Sequence, residues 1–229
     1  SANNHHYSSA IMLQELQIGP VQNYTLTTNT IGSGSLTKNP NQSAYPSGTV
    51  VTLTATPQAG WSFTGWSGDL TGTSNPAMIT MNANKTVTAT FTQNIYTLTI
   101  TTVGSGTVTK APDQTSYASG QVVTLTATPA TGYIFTSWSG DVTGSANPTT
   151  ITMNGNKAVT ATFTQAQYTL GITIVGSGTV TKSPDQTTYT YGTVVTLTAT
   201  PATGYIFSSW SGNLTGSVNP TTITMNANK

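Results

Sequence analysis

The run Gly132-Tyr133-Ile134-Phe135-Thr136-Ser137-Trp138-Ser139-Gly140-Asp141 decides the reading of this chain, because it occurs three times. One copy runs from Gly60 through Trp61, Phe63 and Trp66 to Asp69; another runs from Gly204 through Tyr205, Phe207 and Trp210 to Asn213. Successive copies lie 72 residues apart, the flanking sequence repeats in step, and all four tryptophans fall inside the copies. Large aromatics supply most of the burial available to a small unit. Each copy should therefore anchor one small core, with Trp66, Trp138 and Trp210 at its centre beside Phe63, Phe135 and Phe207.

Outward from the anchor, the flanks alternate apolar and polar residues, the period of a half-buried strand. Tyr96, Leu98 and Ile100 face one way and Thr97, Thr99 and Thr101 the other; Val123, Leu125 and Ala127 alternate with Thr124, Thr126 and Thr128. Gly104-Ser105-Gly106 reads as a tight hairpin turn into Thr107–Lys110. Pro129 ends the second strand, and Asn154-Gly155-Asn156-Lys157 is a turn suited to positive φ. Val159–Phe163 closes the repeat. The pattern predicts about six short strands per repeat and no helix: an all-β fold of three tandem modules, β-grasp-like or small sandwiches. The modules span residues 24–95, 96–167 and 168–229, after a leader over 1–23.

Composition narrows the function. Charged residues make up 5% of the chain and the net charge is +1, with no arginine, against about 25% charged in an average soluble protein. Nucleic-acid binding needs clustered Lys and Arg to displace counterions, so that class is set aside. Abundant Val, Ile, Thr and Tyr exclude a disordered chain. There is no cysteine, hence no disulfide or thiolate metal site. No apolar run reaches the roughly 20 residues needed to span a bilayer, so no membrane insertion is expected. A Thr-rich, charge-poor, cysteine-free repeat reads as extracellular or cell-surface, although no signal peptide is present to read.

In the leader, Ile11, Met12, Leu13, Leu16 and Ile18 form an apolar cluster, strand or short helix, that should dock on something. The third repeat stops at Lys229, where the first two continue into Val87–Phe91 and Val159–Phe163. This predicts a module lacking its closing strand, with an unpaired edge. Either the chain is cut short there, or another molecule supplies the strand. The leader of a second copy is the natural donor by strand addition, and a head-to-tail donation that does not close gives a filament.

Candidate sites are few. Trp61, Tyr133 and Tyr205 recur at one position and could stack on sugars, although the neighbouring Trp-Ser-Gly position reads as core. Asp69, Asp141 and Asn213 share a position, as do Asn41, Asp113 and Asp185; the amide at one copy of each suits an Asx turn better than calcium, which takes six to eight oxygens. The five acids form no pair recurring in each repeat, as glycoside hydrolysis would need, and both histidines, His5 and His6, sit in the leader. No catalytic residue, metal site or cofactor motif is therefore assigned. Lys38, Lys110 and Lys182, and likewise Lys85, Lys157 and Lys229, sit at strand ends where a charge discourages edge-to-edge association.

The pattern Tyr-x-Leu, Gly-x-Gly, Val-x-Leu-x-Ala-x-Pro, Gly-Tyr-x-Phe, Trp-Ser-Gly-Asp, Asn-Pro, Ile-x-Met and Val-x-Ala-x-Phe resembles the divergent relatives of the internalin B-repeat. The resemblance covers residues 24–229. It implies small β modules, related to β-grasp folds, that act in tandem as spacers or adhesive stalks on bacterial surface and secreted proteins, with no shared catalytic residues. The expected function is thus a non-catalytic structural protein, a stalk or filament subunit whose main partner is itself. The alternatives are a multivalent adhesin or carbohydrate-binding module, for cell-surface glycans or host and matrix proteins, and an accessory arm of a larger secreted enzyme.

Overall fold

The computed structural model describes residues 19–229; the leader cluster Ile11–Ile18 lies outside the described residues. Repeat 1 comprises β1 (Asn23–Tyr24), β2 (Leu26–Ile31), β3 (Gly34–Asn39), β4 (Tyr45–Pro46), β5 (Val50–Pro57), β6 (Trp61–Gly68), β7 (Ala77–Thr80) and β8 (Lys85–Gln93). Repeat 2 has the same order: β9 (Ile95–Tyr96), β10 (Leu98–Val103), β11 (Gly106–Ala111), β12 (Tyr117–Ala118), β13 (Val122–Pro129), β14 (Tyr133–Gly140), β15 (Thr149–Thr152) and β16 (Lys157–Gln165). Repeat 3 contributes β17 (Gln167–Tyr168), β18 (Gly178–Ser183), β19 (Tyr189–Thr190), β20 (Thr193–Pro201) and β21 (Thr221–Met225). No helix occurs among the described residues. The chain divides into two compact units, one ending at Asn94 and the other Ile95–Lys229.

Within repeat 2, one three-stranded sheet has the order β10-β16-β14, a second has β11-β13-β15, and β9 and β12 form a two-residue ribbon. The inward residues of both sheets meet in one core of Leu98, Val123, Leu125, Trp138, Ile151, Met153, Val159, Ala161 and Phe163. The module is a small sandwich. Alternation sets its faces: Val123, Leu125 and Ala127 are buried, as the sequence predicts. Burying each such Val or Leu contributes about 1.5–3 kcal/mol.

One pairing expectation is corrected. Gly104-Ser105-Gly106 is not a hairpin turn: β10 and β11 belong to different sheets, and β10 pairs instead with β16, in parallel, from Leu98 opposite Lys157 to Val103 opposite Thr162. The closing strand is the centre of its sheet, parallel to β10 on one side and antiparallel to β14 on the other. Gly106 shows why this arrangement holds. A Cβ there would lie 2.6 Å from the Phe163 ring, so only glycine lets the closing strand seat its phenylalanine over β11. Repeat 1 is built alike, with β2 parallel to β8 from Leu26 opposite Lys85 to Ile31 opposite Thr90.

Repeat 3 keeps the sheet β18-β20-β21 and the ribbon β17-β19. Its counterparts of β10 and β14, residues 170–175 and 205–212, carry no strand pairing beyond a bridge between Trp210 and Gly216. Lys229 lies where β16 begins in repeat 2: its N–H donates to Thr169 O at 3.0 Å, and its carbonyl accepts from Gly171 N at 2.8 Å.

Candidate functional site

The tryptophan anchors of repeats 1 and 2 are core. Trp138 is buried, tilts on Phe135 at 4.9 Å between ring centroids, and donates its indole N–H to Ala146 O at 2.8 Å. Phe135 meets Phe163 edge-on at 5.8 Å. Trp66 repeats this with Phe63 at 4.9 Å and Ser74 O at 2.8 Å. Trp210 keeps its contact with Phe207, at 5.0 Å, and its bond to Val218 O, at 2.9 Å, but is only half-buried.

The candidate stacking residues each lie against their own repeat. Trp61 is half-buried over the Gly32 turn, where a Cβ would come within 2.9 Å of its ring. Tyr133 is half-buried against the repeat 2 core. Tyr205 is 56% exposed, with its ring 3.8 Å from where a Cβ of Gly176 would stand.

The acids are engaged structurally. Asp141 accepts Ala158 N–H at 2.7 Å through Oδ2, and its own N–H donates to Ala158 O at 2.9 Å, so one residue clamps the loop after β14 to β16. The Ala158 N–H, with Lys157 Nζ at 3.3 Å, holds its carboxyl below the ordinary value. Asp69 makes the matching bond to Thr86 N–H at 2.6 Å. These are clamps across 17 residues, not the local Asx turns the sequence suggests. At the second acidic position, Asp113 and Asp185 pair with Lys110 and Lys182, each at 3.0 Å, and these partners raise the two lysines' pKa values. Lys38, Lys110 and Lys182 lie 6.0, 5.8 and 5.9 Å from the ring centroids of Tyr45, Tyr117 and Tyr189. Among the described residues, no group of three or more His, Cys, Asp or Glu is placed to hold a metal.

Two structural residues escaped the sequence reading. Tyr117 is almost wholly buried; its hydroxyl donates to Pro112 O at 3.2 Å and accepts from Gln114 N at 3.3 Å. Tyr45 and Tyr189 do the same in their repeats. Asn147 bonds both backbone groups of Ala127, each at 2.8 Å, standing in for a neighbouring strand. The available signal was the step-by-step recurrence of Tyr45, Tyr117 and Tyr189, and of Asn75, Asn147 and Asn219.

One concavity stands out. Residues 170–175 and 206–214 flank a cavity of about 710 Å³ whose apolar lining includes Leu170, Ile172, Leu197, Phe207, Trp210 and Ile223. In repeat 2 the corresponding space holds β16, with Ala161 directly opposite Trp138 and Phe163 opposite Phe135.

Comparison with known proteins places this architecture. No curated protein matches the chain. Among solved structures, the Bacillus anthracis TIE protein is similar at 9% identity and a TM-score of 0.40. The alignment covers 91% of this chain and 49% of that one, so the chain spans about half the length of that protein. The Divergent InlB B-repeat domain matches at residues 24–95, 96–167 and 168–229. That family is typical of bacterial surface or secreted proteins and is not known as catalytic. With its three matches covering most of the sequence, the chain belongs to the divergent InlB B-repeat family.

Proposed function

We propose that the chain is a load-bearing spacer, a stalk segment of an extracellular or cell-surface protein. The parallel pairing of the opening and closing strands carries this reading. In repeat 2, β10 and β16 run side by side over the whole length of β10. Tension enters a repeat at the start of its opening strand and leaves at the end of its closing strand. In a parallel pair these points lie at opposite ends of the ladder, so the hydrogen bonds are sheared together rather than unzipped singly. Repeat 1 has the same geometry in β2 and β8. Tandem copies then extend reach without adding chemistry.

Single-molecule pulling tests the reading. The chain has no cysteine, so handles can be placed at will. Pulled from sites flanking repeat 2, the repeat should resist strongly. Pulled through Val103→Cys and Thr164→Cys, both exposed, the first at the end of the ladder and the second two residues past it, it should open at clearly lower force. Equal forces in the two geometries would refute the spacer mechanism.

A second reading, end-to-end self-association, rests on the apolar Ile11–Ile18 cluster of the sequence. In this reading the leader of one copy adds as a strand to a sheet edge of another. Negative-stain microscopy of the full chain beside a form lacking residues 1–20 decides it: filaments lost on deletion support donation, and short rods in both samples rule it out.

A further inference from the structure

We propose that Tyr191 is an inter-repeat docking residue whose partner is the glycine turn of the preceding repeat, so that repeats 2 and 3 form one rigid pair. The inference is independent of the load-bearing reading. The chain crosses from β16 to β17 through the single residue Ala166, which is buried. Ala166 is held from both sides: its N–H donates to Gly132 O at 2.8 Å in repeat 2, and its carbonyl accepts from Tyr191 N at 3.2 Å in repeat 3.

The Tyr191 ring completes the contact. A Cβ on Gly132 would fall 2.6–2.8 Å from Cδ1, Cγ and Cβ of Tyr191, so the ring lies directly against bare backbone. Gly132 is in the left-handed region at φ +80°, so the turn demands glycine, and the same absence of a side chain makes the seat for the ring. Behind it, Tyr168 steadies Tyr191 at 6.5 Å between centroids. Tyr191 is 40% exposed, covered on the side that faces repeat 2.

The residue type is particular to this repeat. Ser47 and Ser119 stand at the same place in repeats 1 and 2, before Gly48 and Gly120. The fold of a repeat therefore does not need an aromatic there. Joined domains move relative to one another by default unless a substantial apolar contact fixes them. Here the aromatic on the glycine turn supplies an apolar contact, and the one-residue link bonded to both partners restricts the freedom of the joint.

The test measures the joint in the full chain. Spin labels at Ser145→Cys and Ser217→Cys, exposed loop sites in repeats 2 and 3, report the distance distribution across it. A narrow distribution is expected for the parent and for Tyr191→Phe, which keeps the ring. Tyr191→Ser should broaden it and raise amide exchange at Ala166, while protection of β20 stays unchanged. An unbroadened Tyr191→Ser, a Tyr191→Phe as broad as Tyr191→Ser, or a loss of β20 protection in Tyr191→Ser would each overturn the proposal, the last by showing a role in the core of repeat 3.

Discussion

The side-chain amide of Asn147 closes both backbone hydrogen bonds of Ala127, accepting from its N–H and donating to its carbonyl, each at 2.8 Å. A single side chain thus caps the end of β13 that β15 does not reach, since β15 pairs only Val122–Leu125. Asn75 and Asn219 serve Ala55 and Ala199 in the same way.

Asn147→Ala should destabilise repeat 2 by about 2 kcal/mol, since two part-buried backbone groups lose their partners. Asn147→Asp should cost at least as much at neutral pH, because a carboxylate oxygen then meets the Ala127 carbonyl, and the cost should shrink once the acid is protonated. Urea unfolding followed by residue-resolved amide exchange on β13 reads both effects. An Asp variant equal to the parent at pH 7 would contradict the two-way bond.

Tyr117→Phe keeps the ring but removes the hydroxyl that serves Pro112 and Gln114. A loss of about 1–2 kcal/mol is expected from the two unmade bonds. Tyr117→Ala should lose about 3–5 kcal/mol through the cavity it leaves. Thermal unfolding should rank the parent above Phe and Phe well above Ala.

Gly106→Ala should destabilise repeat 2 by about 1–3 kcal/mol by overpacking, since the new methyl would meet the Phe163 ring at 2.6 Å. Gly155→Ala, where a Cβ has nothing within 4 Å, is the control and should be near neutral. Melting temperatures of the two variants settle the comparison.

Asp141 gives a pH signature. Its carboxyl lies below its ordinary value when folded, through the Ala158 N–H first and Lys157 second. The ionised form therefore stabilises the fold above the unfolded value near 3.8, and that contribution disappears as pH falls through the lower folded value. Asp141→Asn retains an oxygen for the Ala158 N–H but does not titrate. Stability measured from neutral pH down to about pH 2, spanning the ordinary aspartate range, should fall less steeply for the variant than for the parent. Superimposable pH profiles would remove Asp141 from the acid response.

Much of the fold was legible because alternation is a local signal. A period of two assigns faces whatever the partner, so Val123, Leu125 and Ala127 could be placed inward, and the recurrence of Trp66, Trp138 and Trp210 located the anchors. Partners are a different matter. Gly104-Ser105-Gly106 looks like a hairpin turn from within ten residues, yet β10 gains its ladder from β16, about sixty residues on. The clamp from Asp141 to Ala158, the amide of Asn147 and the buried hydroxyl of Tyr117 are also contacts whose partners the local pattern does not name.

By itself, then, the sequence determined that the chain is all-β, that it repeats three times, and which side of the main strands is apolar. These follow from residue chemistry and periodicity, which act over a few residues. Only the tertiary structure decided which strands pair and in which direction, that the closing strand is central, and that Tyr191 rests on Gly132. Those outcomes depend on what distant segments bury against one another, and a glycine shows its purpose only when the ring that needs its space has arrived.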